Sequence, residues 1–215
     1  MIDWLKIETV LLDMDGTLLD LHFDNYFWHE YLPKSWAERQ GMSIDDAKAE
    51  LIPMFKKEEG SLQWYCLDYW SDRLGIDIIE LKQAIKHKIT TRHDTLEFLE
   101  FLTQKKKAII MVTNAHPDLI QMKFVETEIE VYFHNIVSSH TLGTAKEESV
   151  FWHKLNDEIH YEKHNTVLID DNLNVLNSAR EYGIENLISI KQPDSQKPAR
   201  VINDFQAVDL FEELM

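Results

Sequence analysis

Cysteine is almost absent from this chain. Cys66 is the only cysteine among 215 residues, so the chain cannot form an internal disulfide. A chain of this length can bury enough apolar surface to fold without such a cross-link. Because Cys66 lies in an aromatic stretch, we expect a packed thiol rather than a nucleophile.

Basic residues are also few. The chain has 22 Lys and Arg against 38 Asp and Glu, which gives a formal net charge of −16. Surfaces that bind nucleic acid polymers or anionic membranes need clustered Lys and Arg, so we expect neither as a partner. A small anionic substrate is compatible with this charge, because a metal ion and one lysine can reverse the local field.

Long apolar runs are lacking as well. No run approaches the roughly 20 residues that a membrane-spanning helix needs. The N-terminus has no basic region followed by an apolar one, which is the pattern of a signal peptide. We therefore expect a cytoplasmic protein. The ten histidines show no spacing typical of a metal site.

Two carboxylates follow a short apolar run near the N-terminus, in Val10-Leu11-Leu12-Asp13-Met14-Asp15-Gly16. The run predicts a buried strand, and the glycine permits a turn at its end. Residues i and i+2 lie on the same side of an extended chain, where two carboxylates repel unless a cation or proton lies between them. An ordinary turn is the alternative, because Asp, Gly and Thr all suit turns.

Three later stretches carry polar groups of complementary chemistry. One apolar run ends in a hydroxyl and an amide, Thr113-Asn114, and a lysine, Lys146, follows a glycine-containing loop. Another apolar run ends in two carboxylates, Asp170-Asp171. Together with Asp13 and Asp15, this ordered set resembles the four motifs of the haloacid dehalogenase (HAD) superfamily of phosphohydrolases.

The resemblance implies a role for each of these residues. Asp13 matches the nucleophile that forms an aspartyl-phosphate. Asp15 matches the general acid and base. Thr113 and the backbone N–H of Asn114 match the phosphate-binding group, and Lys146 matches the lysine that neutralises the nucleophile and the phosphoryl oxygens.

The resemblance also implies a magnesium ion. Oxygen ligands and a phosphate substrate favour Mg²⁺. The expected ligands are the Asp13 carboxylate, the Asp15 backbone carbonyl and Asp171, with Asp170 supporting the site indirectly.

The pattern of elements predicts an α/β fold. From about residue 91, strands and helices alternate, which indicates a Rossmann-like parallel sheet with helices on both faces. Residues 21–90 contain no convincing strand and four helical stretches, predicted over 24–40 with an interruption at Pro33, and over 43–59, 62–74 and 76–89. We therefore expect a HAD core of residues 1–20 and 91–215, with an inserted α-helical cap of residues 21–90.

Two stretches narrow the substrate. Residues 18–28 and 64–70 resemble the bacterial GMP/IMP nucleotidases, HAD-type 5′-nucleotidases that act on purine monophosphates. The rings of Trp64, Tyr65, Tyr69 and Trp70 could stack on a base, a contact worth about 1–3 kcal/mol. Of these, Trp64 and Tyr65 are the candidates for substrate binding. The alternative for these rings is an aromatic core of the cap.

Other functions remain open at this stage. One alternative is a HAD phosphatase or phosphomutase that acts on a small sugar phosphate or phosphoglycolate. Another is a catalytically idle binding or regulatory protein on the same fold, although the intact motif residues argue against it. The sequence does not give the oligomeric state.

Overall fold

A parallel sheet of six strands forms the centre of the molecule, whose computed structural model describes residues 2–215. Every pairing in the sheet is parallel, and the strand order is β3-β2-β1-β4-β5-β6. The strands are β1 (Thr9–Leu12), β2 (Ala108–Thr113), β3 (Asn135–Ser138), β4 (Thr166–Ile169), β5 (Asn186–Ile190) and β6 (Gln206–Val208). The predicted α/β class is confirmed.

Eleven α-helices accompany the described strands. Those between β1 and β2 are α1 (His22–Tyr26), α2 (Leu32–Gln40), α3 (Ile44–Glu58), α4 (Leu62–Tyr65), α5 (Leu67–Leu74), α6 (Ile78–Ala84) and α7 (Thr95–Gln104). The others are α8 (Pro117–Thr127), α9 (Ser139–Leu142), α10 (Ser149–Ile159) and α11 (Leu173–Tyr182). None of these described helices is long and apolar enough to cross a lipid bilayer.

Strand β1 lies between β2 and β4, and the register aligns the ends of all three. Its last residue, Leu12, is opposite Met111 on one side and Ile169 on the other. The residues that follow these strands therefore meet at one edge of the sheet. The chain order changes direction between β1 and β4, and ligands of open α/β sheets bind at such a point.

The two faces of β1 contribute to two separate apolar clusters, because successive side chains of a strand point to opposite faces. Val10 and Leu12 join the cluster that contains α7, α8 and the helices of residues 21–90. Leu11 joins the cluster that contains α10 and α11. All three side chains are fully buried, so β1 is covered by helices on both sides.

The helical segment of residues 21–90, called here the insertion, begins and ends at neighbouring points. The Asp20 N–H donates to the Thr90 carbonyl and the Arg92 N–H donates to the Leu18 carbonyl, both at 2.9 Å. Two short backbone connections thus join the insertion to the sheet region side by side.

The prediction of one helix over residues 62–74 is wrong. The backbone is extended at Cys66, with φ −84° and ψ 112°, and this conformation divides the segment into α4 and α5. The Sγ atom of Cys66 accepts a hydrogen bond from the N–H of Tyr69 at 3.4 Å, so the thiol caps the start of α5. Apolar periodicity on both sides of Cys66 concealed this break.

Pro33 has a smaller effect than the sequence predicts. Residues Phe27–Tyr31 form a wide π-helical turn between α1 and α2, and Pro33 lies in the first turn of α2. Proline lacks a backbone N–H, and both the wide turn and the first turn of a helix tolerate that loss. The segment therefore stays helical. Strand β6 was not predicted, because its three residues carry too little pattern.

Candidate active site

A cavity of about 810 Å³ lies at the edge of the sheet where β1, β2 and β4 end. This volume lies within the usual range for small-molecule sites. Its walls include every residue that the sequence predicted for catalysis or metal binding, and two of the four rings predicted for base stacking (Asp13, Asp15, Trp64, Tyr65, Thr113, Asn114, Lys146, Asp170 and Asp171). Residues from four separate motifs are thus gathered around one space.

Lys146 lies at the centre of the polar groups and is almost fully buried. Its Nζ donates to Asp13 Oδ1 at 2.5 Å, to Asp170 Oδ2 at 2.7 Å and to the Val112 carbonyl at 3.0 Å. Burial lowers the pKa of Lys146, but the two carboxylates outweigh burial and raise it above its usual value. The ammonium therefore stays charged and holds the ends of β1 and β4 together.

The loop that carries Lys146 is fixed at three points. Gly143 has a φ of +68°, which lets the chain turn after α9. The Asn114 side chain accepts a hydrogen bond from the Lys146 N–H at 3.0 Å. The Lys146 carbonyl accepts one from the Trp152 indole at 3.0 Å. Asn114 therefore positions Lys146 through its side chain, a contact that the sequence did not predict.

Asp13 is buried beside these charges. Burial raises the pKa of Asp13 to about 6, with Lys146 opposing the shift and Asp170 adding to it. Its Oδ1 atom pairs with Lys146. Thr113 is also buried, and its hydroxyl oxygen accepts a hydrogen bond from the Ala115 N–H at 3.0 Å.

The two carboxylates after β4 have different surroundings. Asp170 uses both oxygens, accepting from Lys146 at 2.7 Å and from the Asn172 N–H at 2.8 Å. The Asp171 carboxylate has a looser cationic partner, Arg200, at 3.9 Å. Burial, followed by the charges of Asp13 and Asp170, raises the pKa of Asp171 well above its usual value.

These carboxylates fit a bound divalent cation. Oxygens of Asp13, Asp170 and Asp171 lie within 4.8 Å of one another. A cation among them would relieve the repulsion that disfavours the charged form of Asp171. An all-oxygen donor set suits Mg²⁺. The Asp15 side chain is outside this group, which agrees with an expected contribution through its backbone carbonyl only.

Gly16 allows the close approach of Asp171 to the turn after β1. A Cβ atom at this position would lie 2.7 Å from the Asp171 Cγ atom, and the backbone φ is +86°. Any other residue would therefore displace Asp171 and strain the turn. The first motif therefore needs a glycine at position 16, because the Asp171 carboxylate of the fourth motif lies against it.

Comparisons with known proteins show the family of the chain. A family model described as haloacid dehalogenase-like hydrolase matches residues 7–183. The chain belongs to this family. It is 38% identical, over 90% of its own length and 87% of theirs, to the GMP/IMP nucleotidases YrfG of Escherichia coli K12 and Shigella flexneri.

Solved structures of HAD proteins share the fold. A HAD phosphatase from Thermococcus onnurineus superposes with a TM-score of 0.79 at 20% identity, over 97% of this chain and 96% of the other. The HAD-hydrolase YfnB of Bacillus subtilis, bound to magnesium, superposes with a TM-score of 0.69 at 18% identity over the same shares. The predicted HAD family and Rossmann-like fold are confirmed.

A partly buried chain of charges leads from Asp15 into the insertion, through three residues outside the HAD motifs. Lys123 of α8 donates to Asp15 at 2.5 Å and to Asp24 at 2.6 Å, and Lys82 of α6 donates to Asp24 at 2.7 Å. Burial raises the pKa of Asp24, but the two ammonium groups outweigh burial and lower it overall. Sequence reasoning missed these residues, because only tertiary contact distinguishes them from surface charges.

The pKa of Asp15 is set within this chain of charges. Burial raises it to about 6, Lys123 opposes the shift and Asp24 adds to it. A carboxyl group with such a pKa can both donate and accept a proton near neutral pH. The side chain is therefore chemically suited to the acid and base role that its motif implies.

Glu147 connects the insertion to the polar end of the cavity and was not predicted. It accepts hydrogen bonds from the Tyr65 hydroxyl at 2.6 Å, the Asn114 amide at 2.9 Å and the Asn172 amide at 3.1 Å. Its position directly after Lys146 was the only available sequence signal. This carboxylate ties the insertion to the ends of β2 and β4.

The aromatic residues of the insertion divide into cavity wall and core. Trp64 and Tyr65 line the cavity. Trp64 also packs against Trp28, with ring centroids 5.2 Å apart, so it belongs to an aromatic cluster as well. Trp70 is fully buried and cannot contact a ligand. Tyr69 donates to Glu58 within the insertion.

The contact between Gly16 and Asp171 generates a first prediction. Gly16→Ala is expected to destabilise the protein by about 2–4 kcal/mol, the sum of overpacking and backbone strain. Gly41→Ala is the matched control, because Gly41 has a φ of +67° but no atom within 4 Å of the point where a Cβ would lie. In urea unfolding, this control should lose about 1 kcal/mol of stability. Equal losses in both variants would contradict the role assigned to Asp171.

Proposed function

We propose that this HAD hydrolase is a Mg²⁺-dependent phosphomonoesterase that converts purine nucleoside 5′-monophosphates, GMP and IMP, to nucleoside and phosphate. The observation that carries the chemistry is Lys146, buried between Asp13 and Asp170 at the wall of the cavity. A buried cation beside a carboxylate at the cavity wall can stabilise a phosphoryl transition state, in which negative charge is spread over three oxygens. The substrate class is taken from the relatives that are 38% identical.

In the first step, an oxygen of Asp13 attacks phosphorus and the ester P–O bond breaks. The carboxylic acid of Asp15 gives its proton to the leaving oxygen, so the nucleoside departs as a neutral alcohol. Lys146 and the Thr113 hydroxyl face the charge on the phosphoryl oxygens. The product of this step is an aspartyl-phosphate on Asp13.

In the second step, the Asp15 carboxylate takes a proton from a water molecule, which attacks phosphorus. The bond between phosphorus and Asp13 breaks, and inorganic phosphate leaves. Both carboxyl groups return to their starting states. One residue serves as acid and then as base, which suits a pKa near neutrality.

The proposed metal ligands are Asp13, the Asp15 carbonyl and Asp171, while Asp170 orients Lys146. When bound, Mg²⁺ would neutralise the negative charge that builds up on the phosphoryl group. The two occupied oxygens of Asp170, and the Asp171 carboxylate whose only cationic partner among the described residues is 3.9 Å away, support this division of roles.

We also propose that residues 21–90 act as a cap over a core of residues 1–20 and 91–215. The paired connections at 18–20 and 90–92 are suited to a hinge. Trp64 and Tyr65 would then face the base, and cap closure would exclude water from the reaction. The cytoplasmic compartment stays a prediction.

A substrate panel tests the proposal. The purified protein is assayed with Mg²⁺ against GMP, IMP, other nucleotides, phosphoglycolate, sugar phosphates and p-nitrophenyl phosphate. We expect the highest kcat/KM for the purine monophosphates. A preference for sugar phosphates would support the alternative phosphatase, and no turnover of any ester would indicate a binding protein.

Asp13→Asn should abolish turnover, because an amide cannot form the acyl-phosphate. In the native protein, chelation of the metal by EDTA should also abolish turnover, and added Mg²⁺ should restore it. Phosphate release from GMP measures both effects. Near-native activity of a folded Asp13→Asn sample would exclude covalent catalysis at this residue.

Lys123→Gln should move the alkaline limb of the pH profile of kcat/KM to higher pH by about one unit, because loss of a nearby positive charge raises the pKa of Asp15, whose protonated form is the acid of the first step. Lys82→Gln is the matched control, since Lys82 pairs with Asp24 and makes no hydrogen bond to Asp15. The control should move this limb much less, because Lys82 acts on Asp15 only from a greater distance. If the two variants gave identical profiles, Lys123 would have no specific effect on the pKa of Asp15.

Two variants of Tyr65 separate its ring from its hydroxyl. Tyr65→Ala should lower kcat/KM for GMP at least ~10-fold, about 1.4 kcal/mol, and change turnover of p-nitrophenyl phosphate much less. Tyr65→Phe keeps the ring and loses the bond to Glu147, so it should retain base selectivity. If Tyr65→Ala lowered the turnover of both substrates equally and also lowered the Tm, the ring would belong to the core of the insertion. The same comparison applies to Trp64→Ala.

A further inference from the structure

Three side chains with soft or borderline metal-binding atoms meet at the boundary between the insertion and the sheet. Ligand atoms of Cys66, His116 and His140 all lie within 4.8 Å of one another. None of these three residues lines the cavity of the candidate active site, so the triad is a separate cluster. Its members are 50 and 24 residues apart in sequence, which is why no metal-binding spacing is visible.

Each residue of the triad comes from a different element. Cys66 lies at the break between α4 and α5, in the insertion. His116 precedes α8 at the end of β2, and His140 belongs to α9 at the end of β3. Two ligands therefore belong to the sheet region and one belongs to the insertion.

The ring nitrogens are oriented and available. Nδ1 of His116 accepts a hydrogen bond from the Asp118 N–H at 3.4 Å, which leaves Nε2 for another partner. Nε2 of His140 is buried and has no hydrogen-bond partner among residues 2–215. The two rings meet edge to face, with centroids 5.0 Å apart. A buried nitrogen without a partner is costly, and a metal ion would satisfy it.

A fourth ligand is close by. Oδ2 of Asp68 lies 3.6 Å from Nε2 of His116, and the Asp68 side chain is 83% exposed and free to turn. Tetrahedral zinc ligands lie about 3.4–3.6 Å apart, given Zn–N and Zn–S bonds of about 2.1 and 2.3 Å. Side-chain rotations that bring the triad atoms about 1 Å closer would complete such a site.

We propose that Cys66, His116 and His140, with Asp68 as the fourth ligand, form a zinc site that ties the insertion to the sheet region. The thiolate and imidazole donors select Zn²⁺ over Mg²⁺, whereas the carboxylates of the candidate active site have the opposite preference. The chain thus carries two metal sites of different chemistry. This inference is independent of the proposed substrate.

Cobalt and zinc binding to the full chain tests the site. The protein is stripped with a chelator, supplied with excess Mg²⁺ and titrated with Co²⁺, whose bond to a thiolate gives a near-ultraviolet absorption band. We expect one equivalent of Co²⁺ with this band, displaced by Zn²⁺, and a rise in Tm with Zn²⁺.

The variants are chosen to keep the fold. Cys66→Ser keeps an oxygen that can cap α5 but removes the thiolate, and His140→Gln removes a ring. Each should weaken Zn²⁺ binding at least ~100-fold, because direct ligands exceed the 10–100-fold effects of their supporting partners. His93→Gln, at an exposed histidine outside the triad, should bind as the native protein does. Circular dichroism checks that each variant is folded.

Asp171→Asn distinguishes the two metal sites. This variant should keep the cobalt–thiolate band and the zinc affinity, because Asp171 is outside the triad. A native protein without the band would overturn the proposal. Native zinc affinity in Cys66→Ser, combined with its loss in Asp171→Asn, would also overturn it, since zinc would then occupy the carboxylate site.

Discussion

The ion pairs of Lys146 are the interaction on which the rest of the site depends. One ammonium group, buried with its three hydrogen bonds, joins the carboxylates after β1 and β4 to the backbone of β2. Removing either carboxylate would leave a buried charge with fewer partners, which is far more costly than breaking a surface ion pair. The central three strands are therefore held at their ends by the same residue that would meet a phosphoryl group.

Charge also links this centre to the insertion. The path from Asp15 through Lys123 and Asp24 to Lys82 has buried lysines and partly buried carboxylates, and Glu147 forms a second polar link through Tyr65. The bonds of Asp24 to Lys123 and of Tyr65 to Glu147 form only when the insertion lies against the sheet region. The state of Asp15, the group suited to proton transfer, is consequently sensitive to the position of the insertion. The triad around Cys66 would add a third link at the same boundary.

The insertion is built from short and interrupted helices. It contains a π-helical turn, a break at Cys66 and several helices of only a few residues. Its apolar residues join the cluster on one face of the sheet, so aromatic packing and cavity wall are built from the same side chains. Trp64 illustrates this overlap, because it contacts Trp28 and lines the cavity at once. Selectivity and stability are therefore coupled in this region.

The sequence by itself determined the strands that carry the motifs, the order of the four motifs and the family. Short apolar runs that end in polar groups are local signals, and β1, β2 and β4 end within one residue of Asp13, Thr113 and Asp170. The identities of Asp13, Lys146 and Asp171 were readable because each belongs to one of the ordered motifs. Helices with clear caps, such as α3 after Ser43, were equally readable.

Only the tertiary structure decided which distant residues touch. Lys123 and Glu147 look like ordinary charges in the sequence, and they matter because folding brings them against Asp15 and Tyr65. The break at Cys66 likewise depends on a local φ and ψ that apolar periodicity does not encode. The physical reason is the range of the interactions: apolar periodicity and capping act over a few residues, whereas burial and ion pairing act between residues that only the complete fold brings together.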